Sequence, residues 1–239
     1  SPPRLLVATM TPTLTTERLI LRPVTTSDLP AIQRHIDNPR VIGELSTTVP
    51  WPYPPDGAAT WYAGVRSRIE AGEVYVWVLV ERAGSDEAIG VMELRREPAL
   101  GGHRGFWLGE PWWGRGLMTE ATWAVQDWAF AEGGYDELIL CNAVSNGRSR
   151  RIKEKSGAVK IDEVEMPHHH ATRAERWRLT AEAWSRFRQP KRDTEADARC
   201  VAWGHHVRQV RHCDNPTCPG RRPDLWGPML AMLKARGRR

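Results

Sequence analysis

The chain has 239 residues, 41% of them hydrophobic and 26% charged, with a formal net charge of +5. That length buries a sizeable core in one domain or two, and the balance is that of a soluble globular protein. No apolar run approaches the roughly 20 residues of a membrane span, the opening SPPRLLVAT lacks the apolar core of a secretory signal, and four cysteines are too few for a disulfide scaffold, so a cytoplasmic setting is expected.

In chain order, Glu17–Val24 reads as a first strand, and Asp28–Ile36 repeats apolar residues at helical spacing behind Thr26 or Ser27 as N-cap. Residues 46–57, STTVPWPYPPDG, form a Pro-aromatic loop too stiff for a central strand, and Asp56 caps a helix running to about Ala71. Val74–Glu81 and Ala88–Arg95 read as strands joined by a Gly-Ser-Asp turn. An aromatic strand at 104–109 then meets a turn carrying Gly114 and Gly116, and a helix follows over Gly116–Ala131 with Leu117, Ala121, Ala124 and Trp128 on one face. Asp136–Asn142 is a strand and Asn146–Lys155 a helix, and Val159–Met166 and Arg176–Thr180 close the sheet. Alternating strand and helix after residue 103 predict an α/β fold, a mixed sheet with helices on both faces.

The last fifty residues have a different texture. Residues 1–189 carry 23 Lys and Arg against 24 Asp and Glu, a net of −1, whereas residues 190–239 carry 11 against 5, a net of +6; the two sum to the +5 of the chain. Residues 10–189 are therefore read as the main domain and 190–239 as a basic helical extension. In the extension Ala196, Cys200, Trp203, Val207 and Val210 repeat at helical spacing, and a second apolar-faced helix spans Leu225–Leu233. Both helices are expected to pack on the main domain or on a second copy of the chain. His205, His206, His212, Cys213 and Cys218 lack regular zinc spacing, so no metal is expected. The basic charge makes contact with nucleic acid or ribosomes a weak possibility beside a solvated surface.

Residues 103–121, HRGFWLGEPWWGRGLMTEA, carry the most chemistry. Unclaimed N–H groups at a helix start, with those of a glycine-bearing turn, suit phosphate oxygens, and Arg115 lies inside that turn. Thirty residues on stands NAVSNGRSRRIKEKSGA, 142–158. Together the two stretches resemble the GNAT acetyltransferases, and among them the branch of the RimJ and RimL ribosomal-protein N-terminal acetyltransferases. WWGRGLMTEA resembles that branch's pyrophosphate loop, and Asn146, Ser149, Glu154, Lys155 and Gly157 match its second motif. The opening TERLILRPVTTSDLPAI and the closing WRLTAEAW are also similar, so the resemblance covers roughly residues 12–188.

The resemblance implies a twisted sheet whose fourth and fifth strands splay, with acetyl-CoA as co-substrate and an amine acceptor. The backbone of Trp113, Gly114, Arg115, Gly116, Leu117 and Met118, with Thr119, would face the pyrophosphate, and the N–H of Trp107 or Leu108 would donate to the thioester oxygen. Ser149 would stand near the thiol, and Asn146 would cap its helix and bind backbone of strand or cofactor. Some relatives place a tyrosine acid where this chain has Lys153, so that acid is missing. Glu93 is a candidate base, as is Glu110, although each also reads as a surface carboxylate. His168, His169 and His170 read as an exposed loop near the acceptor, and Trp51 and Tyr53 as acceptor-site wall. The acceptor is expected to be a protein or peptide N-terminus. A polyamine or aminoglycoside, or a binding module without turnover, are the alternatives.

Overall fold

The computed structural model describes residues 10–99 and 101–189; the extension at 190–239, with its two expected helices, its histidines and its cysteines, lies outside the described residues. Eight strands run β1 (Leu14–Thr15), β2 (Leu19–Pro23), β3 (Val74–Glu81), β4 (Gly90–Ala99), β5 (Gly102–Leu108), β6 (Glu137–Ala143), β7 (Val159–His168) and β8 (Ala171–Thr180). Six helices accompany them: α1 (Leu29–Ile36), α2 (Pro39–Ile42), α3 (Gly57–Glu70), α4 (Leu117–Ala131), α5 (Gly147–Glu154) and α6 (Ala181–Arg188). The strands form one open sheet in the order β1-β2-β3-β4-β5-β6-β8-β7.

The middle of the sheet explains the composition of β3. Its run VYVWVLV is buried throughout, because both faces are covered. Tyr75, Trp77 and Leu79 join the core that holds Leu117, Ala121, Val125 and Trp128 of α4 and Trp184 of α6. Val74, Val76, Val78 and Val80 join a second core with Ile32 of α1 and Ala58 and Val65 of α3. A strand buried on both faces reads as an unbroken apolar run. Trp128 meets Tyr75 and Trp77 edge-on, with ring centroids 4.7 and 5.5 Å away. Burying each such ring contributes about 2–3 kcal/mol.

The expected strand Glu17–Val24 is β2, and a short β1 stands before it, set off where the Thr16 side chain turns the chain by accepting from Leu19 N at 2.9 Å. The ladders are antiparallel rather than mixed in direction, since short turns join β3, β4 and β5, and β7 and β8 form a hairpin. β8 starts five residues before Arg176 because charges alternate along the β7–β8 hairpin, for example Arg176 on Asp162 at 2.7 Å, and hide its strand character. Such charges suit an edge strand. Helices α2 and α6 were not expected; α6 starts behind Thr180, whose Oγ1 accepts from Ala183 N at 3.1 Å.

The expected splay falls between β5 and β6, which meet at one bridge, Gly102 to Leu140. Elsewhere β5 is paired with β4 and β6 with β8 along most of their lengths. Gly102 has φ +76°, and a Cβ there would stand 2.4 Å from the Ile139 carbonyl oxygen. Only glycine lets the two strands touch at this vertex and part beyond it.

Candidate active site in the strand splay

A cleft of about 840 Å³ opens where the strands part. Strand backbone groups alternate sides, and Gly109 N donates to Ile89 O at 2.8 Å on the β4 side. In that register Gly105 and Trp107 are partnered by Glu93 and Val91, and the N–H groups of Arg104, Phe106 and Leu108 face the gap. Of the two backbone donors named from sequence, Leu108 therefore presents its N–H to the cleft, whereas Trp107 contributes its side chain to the lining. Phe106 is a gap-facing donor the sequence reading missed, because only the register reveals it.

One end of the cleft is the glycine turn. A short 3-10 turn at Glu110–Trp112 leads into Gly114 and Gly116, each at φ +76°, and α4 begins at Leu117 with no side chain capping its first turn. Gly114, Gly116, Leu117, Met118 and Thr119 line the cleft, as does Trp113, whose indole N–H donates to Leu108 O at 2.7 Å. The Arg115 side chain lies on Glu81 at 2.6 Å, and its carbonyl accepts from Arg18 Nη1 at 2.8 Å. Arg18 also bonds Glu120 of α4 through Nε at 2.7 Å, and Thr16 donates to the same carboxylate at 2.6 Å. The opening segment thus clamps the turn to its helix. Across the mouth the Arg148 guanidinium lies 4.1 Å from the Trp113 ring centroid.

The floor is α5. Asn146 is its N-cap, and Oδ1 accepts from Ser149 N at 2.9 Å. Ser149 is buried and lines the cleft, and Lys153 Nζ donates to Ser149 Oγ at 2.9 Å and to Ser149 O at 3.3 Å. Lys153 is 1% exposed, and burial followed by the nearby Arg104 charge pushes its ammonium well below the usual lysine range. Arg104 is 5% exposed; burial draws it down to about 9. Its Nε and Nη1 and Asn142 Oδ1 are buried without a hydrogen-bond partner among the described residues, and both residues line the cleft. Behind them, burial pushes the Glu175 carboxyl up. Hydrogen bonds from Asn142 at 3.0 Å, Arg150 at 2.9 Å and Lys160 at 3.0 Å outweigh that and hold it at about 2. Arg104 and Lys153 escaped the sequence reading as a pair, since 49 positions of chain separate them.

The other wall is built from distant segments. Gln33 of α1 holds the proline loop, donating to Pro54 O at 2.9 Å and accepting from Ala58 N at 3.0 Å. Tyr53 of that loop is buried and lines the cleft, and burial raises its hydroxyl to about 12; Trp51 is exposed and does not. The histidine run is not the exposed loop expected. His168 bridges to Ser46, is buried, lines the cleft, and donates from Nδ1 to Met166 O at 2.8 Å. His169 bonds Val49 O through Nε2 at 2.7 Å, His170 packs on Gly43, and only His170 is exposed. The hairpin is thereby tied to residues 43–49.

The two acids singled out from sequence are both engaged. Glu93 lines the cleft, but Oε1 accepts from Trp61 Nε1 at 3.2 Å and Oε2 from Arg95 at 2.6 Å. Glu110 pairs with Arg40 and accepts from Asn38 Nδ2 at 2.7 Å, fastening α2 to the glycine turn. No group of three or more His, Cys, Asp or Glu able to hold a metal occurs among the described residues, and no helix there is long and apolar enough to cross a membrane.

Residues 18–159 match the Acetyltransferase (GNAT) domain family. Solved structures share the architecture. An acetyltransferase from Agrobacterium tumefaciens is 24% identical, with TM-score 0.56 over 75% of this chain and 99% of its own. Mycobacterium smegmatis RimJ, in complex with a CoA disulfide, is 18% identical, with TM-score 0.63 over 82% and 96%. RimL, a ribosomal L7/L12 α-N-protein acetyltransferase in complex with coenzyme A, is 16% identical, with TM-score 0.61 over 72% and 99%. No curated protein sequence matches the chain.

Proposed function

The chain belongs to the GNAT acetyltransferase family, and we propose that it acetylates the N-terminal amine of a protein or peptide. GNAT acetyltransferases use acetyl-CoA as acetyl donor. This chain's residues fit that co-substrate. Two positive-φ glycines in the turn bring backbone to its surface, the first N–H groups of α4 have no side-chain cap, and Arg104 and Asn142 carry buried polar atoms without a partner among the described residues. Buried polar groups without partners are rare and point to a ligand or water.

Within this reading the backbone of Trp113–Met118, with Thr119, holds the diphosphate, and the Leu108 N–H donates to the thioester oxygen as negative charge grows there. Ser149 donates its hydroxyl to the departing sulfur, and Asn146 fixes the Ser149 backbone. Glu93, with both oxygens bonded, serves as rigid wall. His168 takes the proton of the attacking amine: its Nδ1–H is committed to Met166 O, which leaves Nε2 as the basic nitrogen.

The observation that carries the acceptor class is the charge of the lining. Glu44, Asp56 and Glu93 are its acids, against Arg95, Arg104, Arg148, Arg151 and Lys155. A polyamine or aminoglycoside needs clustered, unpaired carboxylates; here Glu93 is already neutralised by Arg95, Glu44 keeps an Oε2 without a partner among the described residues, and basic side chains outnumber acids in the lining. An extended peptide with one amine suits an open, largely apolar cleft. The test is thiol release from acetyl-CoA across peptides with free N-termini, the same peptides blocked at the N-terminus, spermidine and kanamycin. Free-N-terminus peptides should react fastest. Equal rates with blocked peptides, or faster rates with spermidine, would overturn the assignment, and CoA binding without release on any amine would favour the binding-module reading.

A further inference from the structure

Lys153 is a lysine buried almost completely in the floor of an active-site cleft, where an aliphatic side chain would pack at less cost. We propose that Lys153 is a positioning residue, whose Nζ fixes the Ser149 hydroxyl so that its hydrogen is presented to the sulfur leaving acetyl-CoA. The inference rests on the reading that the splay holds the thioester end of that co-substrate.

The hydrogen-bonding groups of Ser149 are nearly all engaged. Its N–H is taken by Asn146 Oδ1, and its carbonyl and its Oγ both accept from Lys153 Nζ. A serine hydroxyl has one hydrogen to give. With Nζ donating to Oγ, that hydrogen points away from the lysine, and it is the one polar hydrogen of Ser149 without an acceptor among the described residues. Burial pushes Lys153 below the usual lysine range, and its Nζ spends two of its hydrogens on the two oxygens of Ser149. The groups facing Lys153 are Arg104 from β5, Cys141 from β6 and Glu175 from β8. Arg104 adds positive potential to the same floor. Burial raises the Cys141 thiol, and Glu175 is an anion held by Asn142, Arg150 and Lys160.

In the transfer the acceptor nitrogen forms the new N–C bond as the C–S bond breaks, and sulfur leaves with that bond's electron pair. The amine proton passes through His168 to water, and the thiolate, hydrogen-bonded by Ser149, takes a proton from water on release. A donor held ready lowers the basicity of the thiolate and so eases its departure.

The test compares affinity for CoA with that for desulfo-CoA, which lacks the thiol, by calorimetry from pH 7 to 10. If the bound thiol is acidified by about one pH unit, the preference for CoA rises about tenfold as pH passes between the bound and free values. Lys153→Met and Ser149→Ala should each remove that rise, and the double variant should match either single one. Desulfo-CoA affinity should stay within about twofold throughout. Lys153→Gln, which keeps an N–H donor, should retain a measurable part of the rise, and it serves alone if the methionine variant fails to fold. In turnover Lys153→Met should lower kcat about tenfold or more with KM for acetyl-CoA unchanged. A rise that survives in Lys153→Met, a rise absent from the unmodified protein, or an equal loss of desulfo-CoA affinity would overturn the proposal. The affinity measurement uses no acceptor, so a wrong acceptor assignment leaves it intact, whereas failure to bind desulfo-CoA at all would sink the reading beneath it.

Discussion

The two walls of the cleft are built on different scales. The cofactor wall is local: the glycine turn, the start of α4 and the cap of α5 each lie within a few consecutive residues, and their backbone geometry follows from glycine φ values and side-chain caps. The acceptor wall is assembled from afar, with Leu45 O accepting from His169 N at 3.2 Å and Pro167 O accepting from Thr47 N at 3.2 Å across more than a hundred residues of chain. The difference teaches where to expect sequence to speak. Local backbone chemistry leaves a signature in neighbouring letters, and a wall made by docking two loops leaves none. If the comparison is sound, damage to the cofactor wall should act on co-substrate binding alone and damage to the acceptor wall on the acceptor alone.

The largest effect is expected at Gly114. Its φ of +76° strains any β-branched residue, and nothing lies within 4 Å of an added Cβ, so the substituent would project into free space beside the turn. Gly114→Val should reduce acetyl-CoA affinity more than a hundredfold, about 3 kcal/mol, and lower the melting temperature of the ligand-free domain by only a few degrees. Acetyl-CoA should raise the melting temperature of the unmodified chain and not that of the variant. A variant that still binds would mean the turn does not hold the diphosphate.

The legible part of the molecule follows the same division. The strand–turn–helix at 104–131 and the helix behind Asn146 stand within two residues of their expected bounds, because apolar periodicity and caps declare them. The opening Thr16-Glu17-Arg18 and Glu120 were separate matches in the sequence, and the structure joins them as one clamp. What stayed hidden is non-local. The bond from Lys153 to Ser149 is an i to i+4 contact on a visible helix, yet lysine there reads as solvent-facing until the burial by β5 and β6 is known. His168 reads as loop because three consecutive histidines look polar, and its burial comes from Ser46, far away in the chain.

A smaller effect should come from the acceptor wall. His168→Asn places an amide nitrogen where Nδ1 donates to Met166 O, so the hairpin is kept while Nε2 is removed. If His168 takes the amine proton, kcat/KM for the peptide should fall about a hundredfold, with acetyl-CoA affinity unchanged. Added imidazole should restore part of the rate. Loss of acetyl-CoA affinity instead would show that the two walls are not separable, and an unchanged rate would remove His168 from the chemistry.

The smallest effect concerns what stiffens the cofactor wall from behind. Glu175 is 3% exposed and is the meeting point of Asn142 on β6, Arg150 on α5 and Lys160 on β7. Its carboxyl is held at about 2 in the folded state against 4.5 for an ordinary glutamate. The folded value is depressed, so the stability it contributes is fully present above about pH 4.5 and is lost as pH falls toward 2. Glu175→Gln keeps the size and removes the charge, and it should lower unfolding free energy at pH 7 by about 2–3 kcal/mol. Urea titrations at pH 7, 4 and 2.5 should show the gap between the two proteins narrowing, because below about pH 4.5 the unfolded unmodified chain takes up a proton that the folded one resists, and the variant has no such group. A gap that stays constant down to pH 2.5 would mean the network contributes through shape and hydrogen bonding and not through charge. If the gap closes as expected and acetyl-CoA affinity at pH 7 falls less than about threefold, Glu175 supports the wall without touching the ligand, which keeps the cofactor side local to its own turn and helix.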